Sequence, residues 1–358
     1  MTTRSLLQRI EDICNVDVDD ASTEVIKSLP FTPHNQTSNQ AIITNELLKD
    51  PALIKRLVQQ YGSQGWEHVY DQAAVHLCAR NIPHLSGRVL IQTSLRHLHD
   101  RDAIIAQCRS YASLFAQHGV PRDRFAIKLP FSGAAASAAL QLNGEEGIRT
   151  LATAVFSLEQ GIAASQSGCL FISPYYNEIA AHLDPALRPS FEDPALEHPM
   201  SPRVIHILEA FAKAYKETGK EQPIMVIASH FTPSEILAMT ELNCPHITIP
   251  PHLLTTLLQT PDTLPLPTPK KTFHYAEYAT AERLIKLSTA DPLAGPDWDG
   301  KLATAETDFV ADGGAKLDAF IKSDPVASKR VGDAEAFFLE MEDKARIVIE
   351  KEMAAQGF

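Results

Sequence analysis

The chain has 358 residues, 44% apolar and 21% charged, enough for one large domain or two ordinary ones. Its net charge of −12 excludes the concentrated basic face that binding to a nucleic-acid backbone requires. We expect a soluble, cytoplasmic protein, because no apolar run is long enough for a signal peptide or a membrane span and the five scattered cysteines fit a reducing compartment.

Short β-branched runs alternate with segments of helical period, such as Arg101–Gln117 and Ser201–Thr218. This alternation favours a (β/α)8 TIM barrel, although a doubly wound sheet gives the same pattern. No glycine-rich nucleotide-binding motif follows any of the runs, which disfavours a nucleotide site. The predicted strands are Cys14–Asp19, Gln36–Ile42, Arg88–Thr93, Arg124–Lys128, Thr150–Phe156, Gly168–Ser173, Ile224–Ser229 and His246–Ile249.

The strand pattern stops after about residue 250, and the proline-rich stretch Thr260–Lys271 predicts a loop. Helices are predicted beyond it at Ala276–Thr289, Lys316–Ile321 and Asp333–Ala355. We therefore predict a single domain over residues 1–358. The barrel would span about 12–255, and a helical tail over about 272–358 would pack on it.

Lys128 is the first candidate for chemistry, because it lies within the apolar run FAIKLPF (Phe125–Phe131). On a strand, Ile127 and Leu129 would pack outwards while Lys128 points into the barrel. Desolvation there would lower the pKa of the amine, and the neutral amine is the nucleophile that attacks a carbonyl. A lysine just past a strand end that extends to water explains the same pattern equally well.

Several segments resemble the transaldolase family, in order from about residue 12 to 255. After FAIKLP come Thr-Ala-Val-Phe-Ser at 153–157 and Ile-Ser-Pro at 172–174, similar to the family's fourth, fifth and sixth strands. Thr-Ser-Asn at 37–39 is similar to its Thr-Thr-Asn-Pro, and Val-Asp-Val-Asp at 16–19 places an aspartate at the end of the first strand. The resemblance implies a TIM barrel that forms or cleaves C–C bonds through a lysine Schiff base.

The resemblance also implies roles for individual residues. Lys128 matches the Schiff-base lysine, Asp19 the proton-handling aspartate, with Asp17 as its competitor, and Thr153 a threonine that holds the catalytic water. The implied substrate-binding residues are Ser38, Asn39, Ser173 and Ser229. Asn39 and Ser173 are equally explained as structural hydrogen-bonding residues.

Two positions depart from the family near the predicted catalytic water. Gln92 stands where most transaldolases have a glutamate, and Tyr175 stands where most have phenylalanine. This pair resembles fructose-6-phosphate aldolase. Glutamine can hold a water but cannot exchange a proton with it at neutral pH, so we expect the Tyr175 hydroxyl to supply the proton. A packing role for Tyr175 is the alternative.

Both arginines that hold the substrate phosphate in the family are missing. Glu178 and Phe231 occupy their positions, and no lysine or arginine lies between Arg149 and Arg188. A desolvated phosphate needs charge-assisted donors, so we expect unphosphorylated substrates, with Phe231 and Glu178 among the substrate-binding residues. Phe231, Tyr175 and Tyr176 suggest an apolar or aromatic partner at the end of the pocket that holds the phosphate in the family. Leu151, in place of a donor-site asparagine, predicts a drier pocket.

The first hypothesis is therefore a class I aldolase or transaldolase-like enzyme that acts on small ketones and aldehydes without a cofactor. A conventional transaldolase of the pentose phosphate pathway, with phosphate held by Lys270 or Lys271, is the second. A non-catalytic ligand-binding barrel is the third. His97 and His99 lack a third ligand at metal-site spacing, so no metal is expected. The resemblance suggests a homodimer, and no nucleic-acid or membrane partner is expected.

Overall fold

The computed structural model describes residues 4–268 and 272–358. Within these ranges, eight parallel strands pair in chain order and close into a barrel, with the last strand bonded to the first. This confirms the predicted TIM barrel and excludes the doubly wound sheet. The strands are β1 (Asn15–Val18), β2 (Gln36–Thr37), β3 (Val89–Gln92), β4 (Phe125–Pro130), β5 (Thr150–Val155), β6 (Phe171–Pro174), β7 (Ile224–Ile227) and β8 (His246–Ile249).

The helices that surround the barrel begin with α1 before the first strand and end with three helices beyond the last one. They are α1 (Leu6–Ile13), α2 (Thr23–Lys27), α3 (Gln40–Lys49), α4 (Pro51–Tyr61), α5 (Trp66–Ala79), α6 (Arg101–Gln117), α7 (Gly133–Gly144), α8 (Leu158–Gln166), α9 (Ala180–Leu183), α10 (Pro194–Glu197), α11 (Ser201–Thr218), α12 (Pro233–Glu241), α13 (Pro251–Gln259), α14 (Ala311–Ser323) and α15 (Pro325–Gln356). Among the described helices, none is both long and apolar enough to cross a membrane.

Successive side chains along each strand point to opposite sides of the barrel wall, and this gives two separate apolar clusters. Outward-facing residues such as Ile127 and Leu129 of β4 join the large core between barrel and helices. Inward-facing residues form a smaller cluster inside the barrel, made of Leu90, Ala126, Leu151, Phe171 and Val226. This inner cluster fills the middle of the barrel, as in a packed TIM barrel, and leaves space only towards the strand ends.

Two predicted elements were wrong in extent. The strand expected at Gln36–Ile42 stops at Thr37, because the Asn39 side chain accepts a hydrogen bond from the Ile42 amide at 3.0 Å and starts α3. The helix expected at Ala276–Thr289 consists of two 3-10 segments, Tyr275–Glu277 and Glu282–Thr289. The buried residues of the second segment, Leu284 and Leu287, are three apart, which matches the 3-10 repeat.

The C-terminal helices pack against the barrel. The two predicted at Lys316–Ile321 and Asp333–Ala355 lie inside α14 and α15, and the last three residues of the predicted loop Thr260–Lys271 lie outside the described residues. Helix α15 is tied to the barrel by Thr44 Oγ1, which donates to Met341 O at 2.9 Å, and by Ser94 Oγ, which donates to Glu342 Oε2 at 2.8 Å. These bonds hold α15 across the carboxyl ends of the strands.

Candidate active site

A cavity of about 140 Å³ opens at the carboxyl ends of the strands, the end at which TIM barrels place their active sites. Its lining combines polar and apolar side chains. The residues that line it are Asp19, Thr37, Asn39, Leu90, Lys128, Leu151, Ser173, Tyr175, Ile179, His182, Val226, Ala228, Ser229, Thr248, Phe337 and Phe338.

Lys128 points into this cavity and is only 4% exposed, so the solvated alternative is wrong. Its Nζ donates to Thr37 Oγ1 at 2.7 Å and to the carbonyl oxygen of Ser38 at 3.0 Å. Burial lowers the pKa of the Lys128 amine to about 8, although the charge of Asp19 opposes the shift. An appreciable share of the amine is therefore neutral near pH 7.5 and able to act as a nucleophile.

Asp19 follows β1 and faces the same cavity. Its backbone amide donates to Ile249 O at 3.1 Å, which extends the β1–β8 pairing by one residue. Burial raises the pKa of the Asp19 carboxyl to about 6, against the attraction of the Lys128 charge. Within the described part of the chain, no hydrogen bond to this carboxylate is formed, so it remains available to a bound molecule.

The competing aspartate, Asp17, lies deeper in the barrel and does not line the cavity. Its carboxylate accepts from the Asn35 amide at 2.9 Å, from Asn35 Nδ2 at 3.0 Å, and bonds to His246 Nδ1 at 3.1 Å. Burial opposes ionisation, but the charge and hydrogen bond of His246 and the bonds from Asn35 lower the pKa of Asp17 overall. The geometry thus favours Asp19 over Asp17 as the residue that meets substrate.

Of the three residues predicted to handle a water, Gln92 and Thr153 lie on the two strands that flank β4, and Tyr175, which directly follows β6, is the one that lines the cavity. Gln92 is paired in register with Lys128, and its Nε2 donates to Gln40 Oε1 at 2.6 Å. Its Oε1 is buried and has no protein partner among the described residues. Thr153 Oγ1 donates to the Tyr175 hydroxyl at 3.2 Å. Burial raises the pKa of Tyr175, so its hydroxyl keeps its proton and can donate it.

The predicted substrate-binding residues fall into two groups. Asn39, Ser173 and Ser229 line the cavity, and Ser38 contacts Lys128 through its carbonyl oxygen. Phe231 and Glu178 are not part of the lining.

The two residues at the missing arginine positions make other contacts. The Phe231 ring packs against His182 and lies 4.9 Å from the Arg188 guanidinium. Glu178 Oε2 accepts from Lys329 Nζ at 3.0 Å. The roles assigned to all these residues stay predictions.

Sequence reasoning missed nine residues of the lining: Thr37, Leu90, Ile179, His182, Val226, Ala228, Thr248, Phe337 and Phe338. Thr37 was part of the motif that carried the resemblance, so its bond to Lys128 had a visible signal. His182, Phe337 and Phe338 had none, because α9 and α15 reach the cavity only through folding. Within the described ranges, no three or more His, Cys, Asp or Glu residues are arranged to hold a metal ion.

Comparison with known proteins agrees with this geometry. The sequence model of the transaldolase/fructose-6-phosphate aldolase family matches residues 16–292, which include strands β2 to β8 and all but the first residue of β1. Human transaldolase is 26% identical over 264 residues, covering 71% of this chain and 75% of that protein. The transaldolase of Methylomonas aminofaciens is 27% identical over 260 residues, covering 70% and 78%. The chain therefore belongs to the transaldolase/fructose-6-phosphate aldolase family.

Proposed function

We propose that this protein is a class I aldolase of the transaldolase type, which forms or cleaves a C–C bond through a Schiff base on Lys128 and acts on unphosphorylated ketones and aldehydes. The observation that carries the proposal is the Lys128 amine, buried in a cavity that it shares with the Asp19 carboxylate. Burial makes the amine partly neutral and keeps water away from an imine once it has formed.

In the forward direction the neutral Lys128 amine adds to the carbonyl carbon of a donor ketone, and the carbinolamine then loses water to give the imine. The oxygen that leaves needs a proton. Gln92 Oε1 can hold a water beside the site, and the Tyr175 hydroxyl can donate the proton that Gln92 cannot. Tyr175 regains a proton when the imine is hydrolysed at the end of the cycle.

Asp19 acts at the C–C bond. In the cleavage direction its carboxylate takes the proton of the hydroxyl on the carbon that leaves as an aldehyde, while the electrons of the broken bond pass to the imine and give an enamine. In the addition direction the enamine attacks the aldehyde and Asp19 returns the proton. A carboxyl whose pKa is raised to about 6 is suited to both directions near neutral pH.

The substrate claim rests on the lining of the cavity. Lys128 is the one lysine or arginine among the described lining residues, and it is the nucleophile. A phosphate desolvated in such a cavity would lack charge-assisted donors. Glu178 contributes less to this argument than its sequence position suggests, because Lys329 partly neutralises it.

A conventional transaldolase is the second candidate, and Arg188 is the observation that favours it. The Arg188 guanidinium packs on Phe231, which stands where the family has an arginine, and its Nε donates to Ala181 O at 3.1 Å. Lys270 and Lys271, the phosphate ligands considered from sequence, lie outside the described residues. Arg188 is exposed, however, and solvent screens an exposed charge, so Arg188 would hold a substrate phosphate only weakly.

Borohydride trapping tests the proposal. The protein would be incubated with dihydroxyacetone, hydroxyacetone, fructose 6-phosphate or sedoheptulose 7-phosphate, reduced, and mapped by mass spectrometry. We expect an adduct on Lys128 with the unphosphorylated ketones, none in Lys128→Met, and an unchanged adduct in Lys27→Met, which alters an exposed lysine.

The other outcomes separate the alternatives. Adducts formed only with the phosphorylated ketones would favour the conventional transaldolase. The absence of any adduct would favour a non-catalytic barrel.

A further inference from the structure

The outer wall of the cavity comes from the C-terminal helix. Phe337 and Phe338 of α15 line the cavity that contains Lys128, and their ring centroids are 5.3 Å apart. Phe338 is 2% exposed and packs with Tyr175 and Ile179 in one apolar cluster, whereas Phe337 is half-buried. Helix α15 is hydrogen-bonded to the rest of the domain at Met341 and Glu342, one turn after Phe338, which holds this wall against the barrel.

The two ends of the cavity therefore differ in chemistry. At the inner end Thr37 bonds to the Lys128 amine and Asp19 and Asn39 face the same space, while the apolar side chain of Leu151 lies in register with Lys128. The outer end presents the phenyl ring of Phe337 together with the side chains of Ile179 and His182. A donor ketone held on Lys128 thus occupies the polar end, and the acceptor aldehyde meets the apolar wall.

His182 is the polar group of the outer end, and its hydrogen bonds determine its tautomer. Ser229 Oγ donates its single hydrogen to Asn177 O at 2.8 Å, so it can only accept from His182 Nε2, which is also 2.8 Å away. The proton of the neutral ring is therefore on Nε2, and Nδ1 carries a lone pair. Although the residue is exposed at the mouth, desolvation of the ring and the charge of Arg188 lower its pKa to about 4, so the ring is neutral at pH 7.

We propose that Phe337 and His182 form the acceptor subsite, and that this subsite binds uncharged aldehydes that combine an apolar body with a hydroxyl group. This inference rests on the proposed function, because it assigns the second substrate of the same site. The phenyl ring of Phe337 contacts the apolar body, and Nδ1 of His182 accepts a hydrogen bond from the hydroxyl. An anionic acceptor would face a lone pair and a phenyl ring, and the charge of Arg188 near His182 is exposed and therefore offsets this only weakly.

The test uses hydroxyacetone as donor and 3-hydroxybenzaldehyde, benzaldehyde and glyceraldehyde 3-phosphate as acceptors. We expect the wild-type protein to prefer 3-hydroxybenzaldehyde. In Phe337→Ala, kcat/KM for both aromatic aldehydes should fall roughly tenfold, since most of the apolar contact is lost. Leu339→Ala is the matched control, because Leu339 lies on the same helix, is half-buried and does not line the cavity.

A second pair of variants tests the hydrogen bond and does not depend on the stability of α15. His182→Phe should lose the preference for the hydroxylated aldehyde, by roughly three- to tenfold. His182→Gln should retain it, because the Gln amide can donate to Ser229 and still present an acceptor oxygen.

The readouts distinguish the inference from the proposed function. Imine trapping with hydroxyacetone alone reports on Lys128, and it should be the same in wild type, Phe337→Ala and both His182 variants. If wild type forms no imine, the proposed function fails and the inference fails with it. If the imine forms but the acceptor preferences are unchanged in all these variants, or glyceraldehyde 3-phosphate is preferred, the acceptor subsite alone is overturned.

Discussion

Asp17 lies on the first strand and Asp19 directly follows that strand, on the same face. One carboxylate is bonded within the protein, and the other lines the cavity. Asp17 accepts from Asn35 and bonds to His246, and its pKa is lowered despite burial. The Asp19 carboxylate faces open space, and burial raises its pKa to about 6. The difference teaches that a buried carboxylate becomes reactive where the protein leaves its hydrogen-bonding capacity unused, and structural where that capacity is filled.

The largest expected effect is on catalysis. Asp19→Asn should lower kcat by about 10²–10⁴-fold, because a residue in acid–base contact with substrate is lost. It should not lower the thermal unfolding temperature. Burial raises the pKa of Asp19 to about 6 in the folded protein, so the ionised carboxylate lowers the free energy of unfolding, in full above about pH 6. Asparagine cannot ionise and therefore removes this cost. Steady-state kinetics measures the change in kcat, and thermal denaturation measures the change in unfolding temperature. A kcat close to wild type would show that Asp19 takes no part in catalysis.

The complementary change should affect stability. Asp17→Ala leaves buried donors of Asn35 unpaired, and we expect a loss of about 2–4 kcal/mol in the free energy of unfolding. Because the folded pKa of Asp17 is lowered, its contribution is present above the unfolded pKa and disappears as the pH falls through the folded value. Urea titrations at neutral and acid pH should show the deficit shrinking in acid, whereas an undiminished deficit would contradict this account.

Tyr175 and Tyr176 differ in the same way, because Tyr175 lines the cavity and the Tyr176 hydroxyl is bonded within the protein. The expected effects are smaller than for the aspartates. Tyr175→Phe should slow turnover by about tenfold, because the proton donor beside Gln92 is lost. Tyr176→Phe should leave kcat unchanged and cost about 1 kcal/mol, since its hydroxyl bonds only to Pro194 O and Ser201 Oγ among the described residues. Equal effects of the two variants on kcat would mean that the Tyr175 hydroxyl has no chemical role.

The smallest effect is a shift along the pH axis. The rate of imine trapping should rise with pH as the Lys128 amine loses its proton, with a midpoint near the pKa of about 8. The negative charge of Asp19 raises that pKa, so Asp19→Asn should move the midpoint to lower pH. Asp17→Asn is the control and should leave the midpoint in place. An unchanged midpoint in Asp19→Asn, or an equal shift in Asp17→Asn, would show that the Asp19 charge does not act on Lys128.

The barrel was largely predictable from sequence because its signal is local. The runs around Val89–Gln92 and Phe125–Pro130 are apolar and fully buried, so their residue types alone indicate strands. The second strand was overextended to Ile42, although Asn39 and Ala41 are residue types depleted in strands. The Asn39 cap that ends the strand and begins the helix depends on a single side-chain hydrogen bond.

The sequence by itself determined the alternation of strands and helices, the placement of Lys128 on the fourth strand and the family, because these follow from periodicity and from motifs that are contiguous in the chain. Only the tertiary structure decided the order in which the strands close into a barrel, and that Asp17 is bound by Asn35 and His246 while Asp19 lines the cavity. It also decided that Phe337 closes the cavity. The physical reason is that burial and hydrogen bonding at a site come from residues far apart in the chain, and local patterns do not record which of them will meet.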